Sequence, residues 1–232
     1  MARALGSPVA RCYLGWIGDR KAKAGLWPRI AEVIKTCKSV RSFAKDSGVK
    51  IAVENHAGDM QSTELVRLIE EAGKDYVGAT MDTGNAVWAL EDPIETLKNL
   101  APYAVSTGIR DSAVWEIPHG AAFEWVAMGD GVVDWKAYFD LYAKLCPKTP
   151  VQLEIITGDA RKLEVLKPGY FYLWPDAAAS GFSRYMAMAR RGKAKKPYVT
   201  PKGLKAELAW QLSQLERSIR YCKKIGLGKK KH

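Results

Sequence analysis

The sequence predicts an α/β protein of (β/α)8 TIM-barrel type, supplying about five of the eight β/α units and closing with a C-terminal helical extension. Three observations carry that expectation. Short apolar runs rich in β-branched residues alternate with helical patterns, as βαβ units on a parallel sheet require. Charged residues recur at the C-terminal ends of successive strands, where the loops of a barrel gather its active site. The first strand runs into Leu14-Gly-Trp-Ile-Gly-Asp19, which lacks the G-x-G-x-x-G turn of a dinucleotide-binding doubly wound sheet.

Val9 to Leu14 is the first expected strand, and the helix after it carries Ile30, Val33, Ile34, Cys37, Val40 and Phe43 at three-to-four spacing until Gly48 stops it. The second strand, Lys50-Ile-Ala-Val-Glu-Asn-His56, runs straight into polar residues. A helix begun by Ser62 or Thr63 and closed by Gly73 comes next. Tyr76 to Met81 is the third strand and ends in Asp82-Thr-Gly-Asn85. Asp92-Pro-Ile-Glu95 then reads as an N-cap, a proline at the first helical position and an acid at the third. Tyr103 to Ile109 is the fourth strand, succeeded by Arg110-Asp111 and a long loop holding Trp115, His119 and Gly129-Asp-Gly131. Asp134 caps a helix from Trp135 to Leu145, and Val151 to Ile156 is the fifth strand. The remainder reads as loops, a basic linker and a long closing helix with Leu204, Leu208, Leu212, Leu215, Ile219 and Cys222 on one face. The expected organisation is a partial barrel over residues 1–160 that holds the metal and substrate site. The linker and closing helix over 161–232 belong to the same domain.

With 232 residues and 47% hydrophobic content, the chain can bury one substantial core or two small ones. No apolar run approaches the roughly 20 residues of a membrane span, and the first residues lack the apolar core of a signal peptide, so a cytoplasmic protein with no membrane partner is expected. Cys12, Cys37, Cys146 and Cys222 form no C-x-x-C pair and read as buried free thiols. The net charge of +11 is localised: from Arg184 onward, fifteen Lys plus Arg face two acids, Glu207 and Glu216. That local +13 leaves −2 for the rest, so composition gives the body of the protein no basic nucleic-acid face. The runs Arg190–Lys196 and Lys229–Lys231 suit a solvated loop and tail as well as a polyanion site.

Glu54, Asp82 and Glu154 stand at the ends of three different strands, each behind an apolar stretch. In a barrel those ends converge, and three carboxylates at one point need a cation to remain ionised together; hard oxygen ligands suit Mg²⁺, Mn²⁺ or a similar ion. Any one of them, taken alone, is equally well a helix cap or a salt-bridge partner. Asn55, His56 and Asn85 are candidates to hydrogen-bond sugar hydroxyls, with a capping or structural role as the plain alternative for His56. Arg110 is placed to hold a phosphate or carboxylate, or to pair with Asp111 and brace the strand end. Trp88, Trp115 and Trp125 offer either a stacking wall for sugar rings or core packing.

Val53-Glu-Asn-His56, Met81-Asp-Thr-Gly-Asn85, Gly108-Ile-Arg-Asp111, Gly129-Asp-Gly131 and Leu153-Glu154 resemble, in order and spacing, the motifs of strands five to eight in the xylose-isomerase-like sugar isomerases and epimerases. The resemblance covers roughly residues 1–160. It implies that Glu54, Asp82 and Glu154 are metal ligands for Mn²⁺, Mg²⁺, Co²⁺ or Zn²⁺, and that Glu54 and Glu154 also move the proton beside the sugar carbonyl. The implied activity is a metal-dependent sugar or hydroxy-keto-acid isomerase or epimerase working through an enediolate. Asn55, His56, Asn85, Arg110 and Trp115 would then contact the substrate.

Two departures accompany the resemblance. The family's fourth ligand is usually a histidine in a His-x-Lys-Asp motif on strand seven, and Gly108 stands there with no ligand atom; water, substrate, His56 or His119 would have to fill the place. The chain also reads as starting at the family's fourth strand, so a truncated product or a late start codon is expected unless a second copy, in a homo-oligomer, closes the barrel. A catalytically inactive barrel that binds a ligand or partner is therefore the alternative. DNA-repair endonucleases acting at abasic sites resemble the same barrel but depend on histidine-rich zinc clusters, whereas this chain has only His56, His119 and His232.

Overall fold

The computed structural model describes residues 1–195 and 201–227; Lys196 of the basic run, the Lys229–Lys231 tail and His232 lie outside the described residues. The chain divides into two compact units. The first comprises Met1–Gly108 with Leu141–Gln152, and the second comprises Ile109–Asp140 with the chain from Leu153 onward.

The first unit is built on a parallel sheet of β1 (Val9–Tyr13), β2 (Lys50–Glu54), β3 (Val77–Asp82) and β4 (Ala104–Gly108), in that spatial order. Every residue of β3 is buried, as expected of a strand covered on both faces. Strand register sets the neighbours: Tyr13 lies beside Glu54, Glu54 beside Thr80, and Asp82 beside Gly108. The strand ends that carry Glu54 and Asp82 are thus adjacent. The four strands form an open sheet, and among the described residues no barrel closes.

Helices cover the sheet where the apolar spacing places them. After the short α1 (Ile17–Arg20), α2 (Trp27–Ser39) buries Ile30, Ile34 and Cys37. The expected continuous helix breaks at Val40, which ends α2 and starts α3 (Arg41–Ser47) with non-helical backbone angles. The break turns Ala44 inward and leaves Phe43 78% exposed, contrary to its place in the sequence pattern. α4 (Ser62–Ala72) buries Leu65, Leu68, Ile69 and Ala72 at helical spacing. Asp82 caps the six-residue α5 (Thr83–Trp88), which buries Trp88. Asp92 caps α6 (Pro93–Leu100) by accepting from Ile94 N at 2.8 Å, with Pro93 in the first turn as the sequence predicts.

The second unit corrects several expectations. The long loop after Arg110 is a hairpin, β5 (Asp111–Ile117) and β6 (Gly120–Val126), closed by the two residues Pro118 and His119. Gly120 has φ +147°, and a Cβ there would come within 2.3 Å of the Leu163 carbonyl oxygen, so only glycine permits that close approach. α7 (Trp135–Leu145) comes after the hairpin, started by Asp134, whose carboxylate accepts from Ala137 N at 3.0 Å. The expected fifth strand reduces to one parallel bridge between Ile109 and Leu153. Just before it, within the first unit, the Thr107 hydroxyl donates to the Pro150 carbonyl and accepts from Gln152 N, each at 2.9 Å, so side-chain bonds take the place of ladder rungs there. β7 (Gly158–Leu163) pairs with β6, and α8 (Ala179–Arg191) buries Tyr185, Met186, Met188 and Ala189 inside what reads as linker.

α9 (Leu204–Lys224) exists as predicted, but its contact face differs. Gln214, Ser218 and Cys222 are buried, whereas Leu204, Leu208, Leu212 and Ile219 are exposed, Leu208 by 59%. The helix is held by polar contacts: Met128 N donates to Ser218 Oγ at 3.0 Å, Arg217 pairs with Asp130, and Gln211 exchanges hydrogen bonds with Thr157. All four cysteines are free, three of them buried. No helix among the described residues is long and apolar enough to cross a membrane.

Candidate functional site

Glu54 closes β2 with no solvent exposure, and both of its carboxylate oxygens are engaged. Arg11, from the neighbouring strand β1, donates through Nε to Oε2, and Asn85 Nδ2 donates to Oε1 at 3.2 Å. Asp82, equally buried, closes β3 and accepts from Asn85 N at 2.8 Å as the cap of α5. Asn85 therefore touches both carboxylates, one through its backbone and one through its amide. The other end of that amide, Oδ1, is buried with no hydrogen-bond partner. Flipping the amide would set an oxygen against Glu54, so the orphan acceptor is a property of the site.

Asn55 and His56 sit differently from Asn85. The Asn55 amide exchanges two bonds with the backbone of Asp82, Nδ2 to its carbonyl at 2.8 Å and Oδ1 from its N–H at 2.9 Å, and so ties the end of β2 to the end of β3. His56 Nδ1 lies 2.6 Å from the Gly15 carbonyl, which makes Nδ1 the protonated nitrogen, and the ring stacks on Tyr13 at 4.1 Å. Asp59, which sequence pattern does not single out, holds this turn: it accepts from Gly15 N, His56 N and Met60 N. Burial pushes its carboxyl up to about 8 despite those bonds. Arg20, also buried, donates to the Asp59 carbonyl at 2.7 Å and pairs with Glu64.

In the second unit Glu154 stands one residue past the Leu153 bridge, its N–H bonded to the Ile109 carbonyl at 3.0 Å. Arg110 is 3% exposed, lies 3.4 Å from Glu154 and stacks over the Trp125 ring at 4.4 Å. Asp111, offered by the sequence as an alternative partner for Arg110, instead accepts from Ser112 N, Gly129 N, Gly131 N and Trp135 Nε1 at 2.8–3.1 Å. Burial raises its carboxyl to about 6. The Gly129-Asp-Gly131 motif is thus a cradle for Asp111, and a Cβ on Gly131 would fall 2.0 Å from its Oδ1. Trp115 is not in a loop: it lies on β5, packed with Ala113, Ala122 and Val126. A cavity of about 350 Å³ in this unit, lined by Asp130, Gly131, Met188, Arg191 and Lys193 among others, contains none of the predicted site residues.

The residue types suit a hard cation. Glu54 and Asp82 offer carboxylate oxygens, Asn85 adds an amide oxygen that lacks a donor, and such oxygen sets favour Mg²⁺, Mn²⁺ or Ca²⁺ over soft metals. Sequence reasoning finds the carboxylates because they end apolar runs. It misses Arg11, whose only signal is a charge inside the short strand Val9-Ala-Arg-Cys-Tyr13.

Comparisons with known proteins agree with this architecture. Residues 1–167 match the family model described as xylose isomerase-like TIM barrel. An uncharacterized Escherichia coli (strain K12) protein, YihM, is 33% identical over 98 residues, 42% of this chain and 30% of that protein. Two solved structures share the fold. A xylose isomerase domain protein from Planctomyces limnophilus is 21% identical, with a TM-score of 0.53 over 66% of this chain and 54% of that one. A xylose isomerase-like TIM barrel protein from Mycobacterium smegmatis in complex with magnesium is 15% identical, with a TM-score of 0.54 over 81% and 64%. The chain therefore spans less than two thirds of the length of each of these relatives, while the family model covers most of its own length: it belongs to the xylose isomerase-like TIM-barrel family.

Proposed function

We propose that this chain carries the acidic half of a metal-dependent sugar or hydroxy-keto-acid isomerase or epimerase. Glu54, Asp82 and Glu154 each contribute a carboxylate oxygen to one divalent ion, of the Mn²⁺, Mg²⁺, Co²⁺ or Zn²⁺ group. The observation that carries the reading is the arrangement around Asn85, with two buried carboxylates on adjacent strand ends and an orphaned acceptor beside them. The magnesium in the Mycobacterium smegmatis structure is in keeping with such a site.

When bound, the ion would polarise the carbonyl and adjacent hydroxyl oxygens of an α-hydroxy aldehyde or ketone. Glu54 and Glu154 then move the proton on the carbon beside the carbonyl, each serving as base in one direction and acid in the other. Asn85 holds Glu54 and Asp82 in place, the Asn55 amide keeps the Asp82 backbone fixed, and His56 presents Nε2 as an acceptor for a hydroxyl. Arg110 holds an acidic group of the substrate. The substrate is a small sugar or sugar derivative handled in the cytoplasm.

Incubating the purified protein with Mn²⁺ or Mg²⁺ and a panel of ketoses in D₂O tests this. Deuterium is expected beside the carbonyl of at least one sugar, and Glu154→Gln is expected to abolish it. No exchange, or exchange unaffected by Glu154→Gln, overturns the reading. One observation favours a second reading, a barrel that binds without turnover: Gly108 lies beside Asp82 in the sheet and brings no ligand atom. Retained sugar or metal binding without exchange would select it.

A further inference from the structure

Resting on the metal-site reading above, we infer that Arg11 is the standing counter-ion of Glu54 and competes with any cation for that carboxylate. Glu54 is fully buried, and a buried charge is retained only if something neutralises it. Arg11 does so from the adjacent strand through its Nε, and Asn85 donates to the second oxygen, so a donor stands at each Glu54 oxygen. A divalent ion approaching this carboxylate either takes the place of one of these donors or shares an oxygen with it, and in both cases it meets the guanidinium charge. Asn85 is anchored by its backbone bond to Asp82 and lies buried on α5, so its amide has little room to move. The Arg11 side chain is 42% exposed, so its guanidinium has water to turn into. Arginine is therefore the partner that yields.

Metal affinity then has a component set by this chain and not by the ligands. Each metal ion that binds either turns the guanidinium away from Glu54 or tolerates its positive charge nearby. Glu154 carries an equivalent arginine, Arg110, within its own unit, but that guanidinium is buried and stacked on Trp125, so it cannot leave in the same way. Of the two glutamates, Glu54 is the one whose counter-ion can be exchanged.

The test is a Mn²⁺ titration of wild type, Arg11→Met and Arg11→Lys, paired with thermal melts in EDTA. Arg11→Met removes the competitor and is expected to bind Mn²⁺ about tenfold tighter, whereas Arg11→Lys, which keeps the charge, stays within about threefold of wild type. In EDTA, Arg11→Met strands a buried carboxylate and is expected to lower the melting midpoint by about 3–8 °C; in a Glu54→Gln background the same change should cost little. Equal or weaker Mn²⁺ binding by Arg11→Met, with wild type binding normally, overturns the inference and leaves the metal site standing. An unchanged midpoint in EDTA overturns it from the other side, since Arg11 would not then be the counter-ion. Absence of Mn²⁺ binding in every variant removes the metal reading and the competition together. If Arg11→Met does not fold, Arg11→Gln, which can still donate to Glu54 but brings no charge, is read by the Mn²⁺ criterion alone: tighter binding supports the inference, and equal or weaker binding overturns it.

Discussion

Glu54 in the first unit and Asp111 in the second are both carboxylates with no solvent exposure, yet they are satisfied in opposite ways. Asp111 accepts from three backbone N–H groups and the Trp135 indole, donors that the fold itself fixes. Glu54 accepts from the side chains of Arg11 and Asn85, the first of them half in solvent. Backbone donors cannot leave without unmaking the turn they belong to, whereas side-chain donors can rotate away and admit something else. Burial alone does not separate a carboxylate that braces a fold from one that is available for chemistry; the donors do.

Asp111→Ala gives the largest expected effect. It leaves four buried donors without an acceptor, and urea denaturation should show a loss of about 3–5 kcal/mol. A loss below about 1 kcal/mol would break the comparison, because the backbone cage would not then be what the turn depends on. Glu54→Gln sharpens it from the other side. In EDTA its stability cost is expected to be about 1 kcal/mol, since the freed Arg11 is already half in water, while Mn²⁺ affinity falls by about tenfold or more. A destabilisation as large as that of Asp111→Ala would place Glu54 among the bracing residues.

Asp59 gives a third contrast, on the pH axis. Its folded carboxyl sits near 8, above its unfolded value, so the stabilisation is complete below the unfolded value and is lost as pH rises toward 8. Glu91, whose carboxylate accepts from the Ser62 N–H and hydroxyl at the start of α4, is raised by burial to about 7, and with Asp111, raised to about 6, it acts in the same direction. Chemical denaturation at pH 5 to 8 should show stability falling with pH by at most about 1.4 kcal/mol per unit for each such proton. Asp59→Asn should flatten the upper part of that slope; an equally steep profile in the variant would assign the effect elsewhere. The smallest effects belong to α9. Ser218→Ala, which removes the acceptor of Met128 N, should cost about 1 kcal/mol, and Leu208→Gln should stay within about 0.5 kcal/mol. A larger cost for Leu208→Gln would mean that its apolar surface is covered in solution.

The parallel strands are legible in the sequence because Lys50–Glu54 and Val77–Asp82 are short apolar runs that end in acids, and the chemistry of a strand end is written in the next residue. The hairpin is not, because Pro118-His119-Gly120 looks like loop and hides the alternation of Ala113, Trp115, Ala122 and Val126 on either side. The face of α9 misleads for a physical reason: its leucines mark a stripe, but hydrogen bonds through Gln211, Ser218 and Arg217 decide which side docks. Within the site, Glu54, Asp82 and Asn85 are visible as strand-end polar residues. Arg11, Asp59 and Arg20 are not, since each acts on a partner more than thirty positions away that local pattern cannot reveal.

The pair of hydrogen bonds between the Asn55 amide and the Asp82 peptide makes those two groups a single stiff joint. A substitution at Asn55 would remove both of these bonds from the peptide whose residue carries the Asp82 carboxylate. Changes of shape elsewhere in the site leave this peptide, and the charge that stands on it, held as it is.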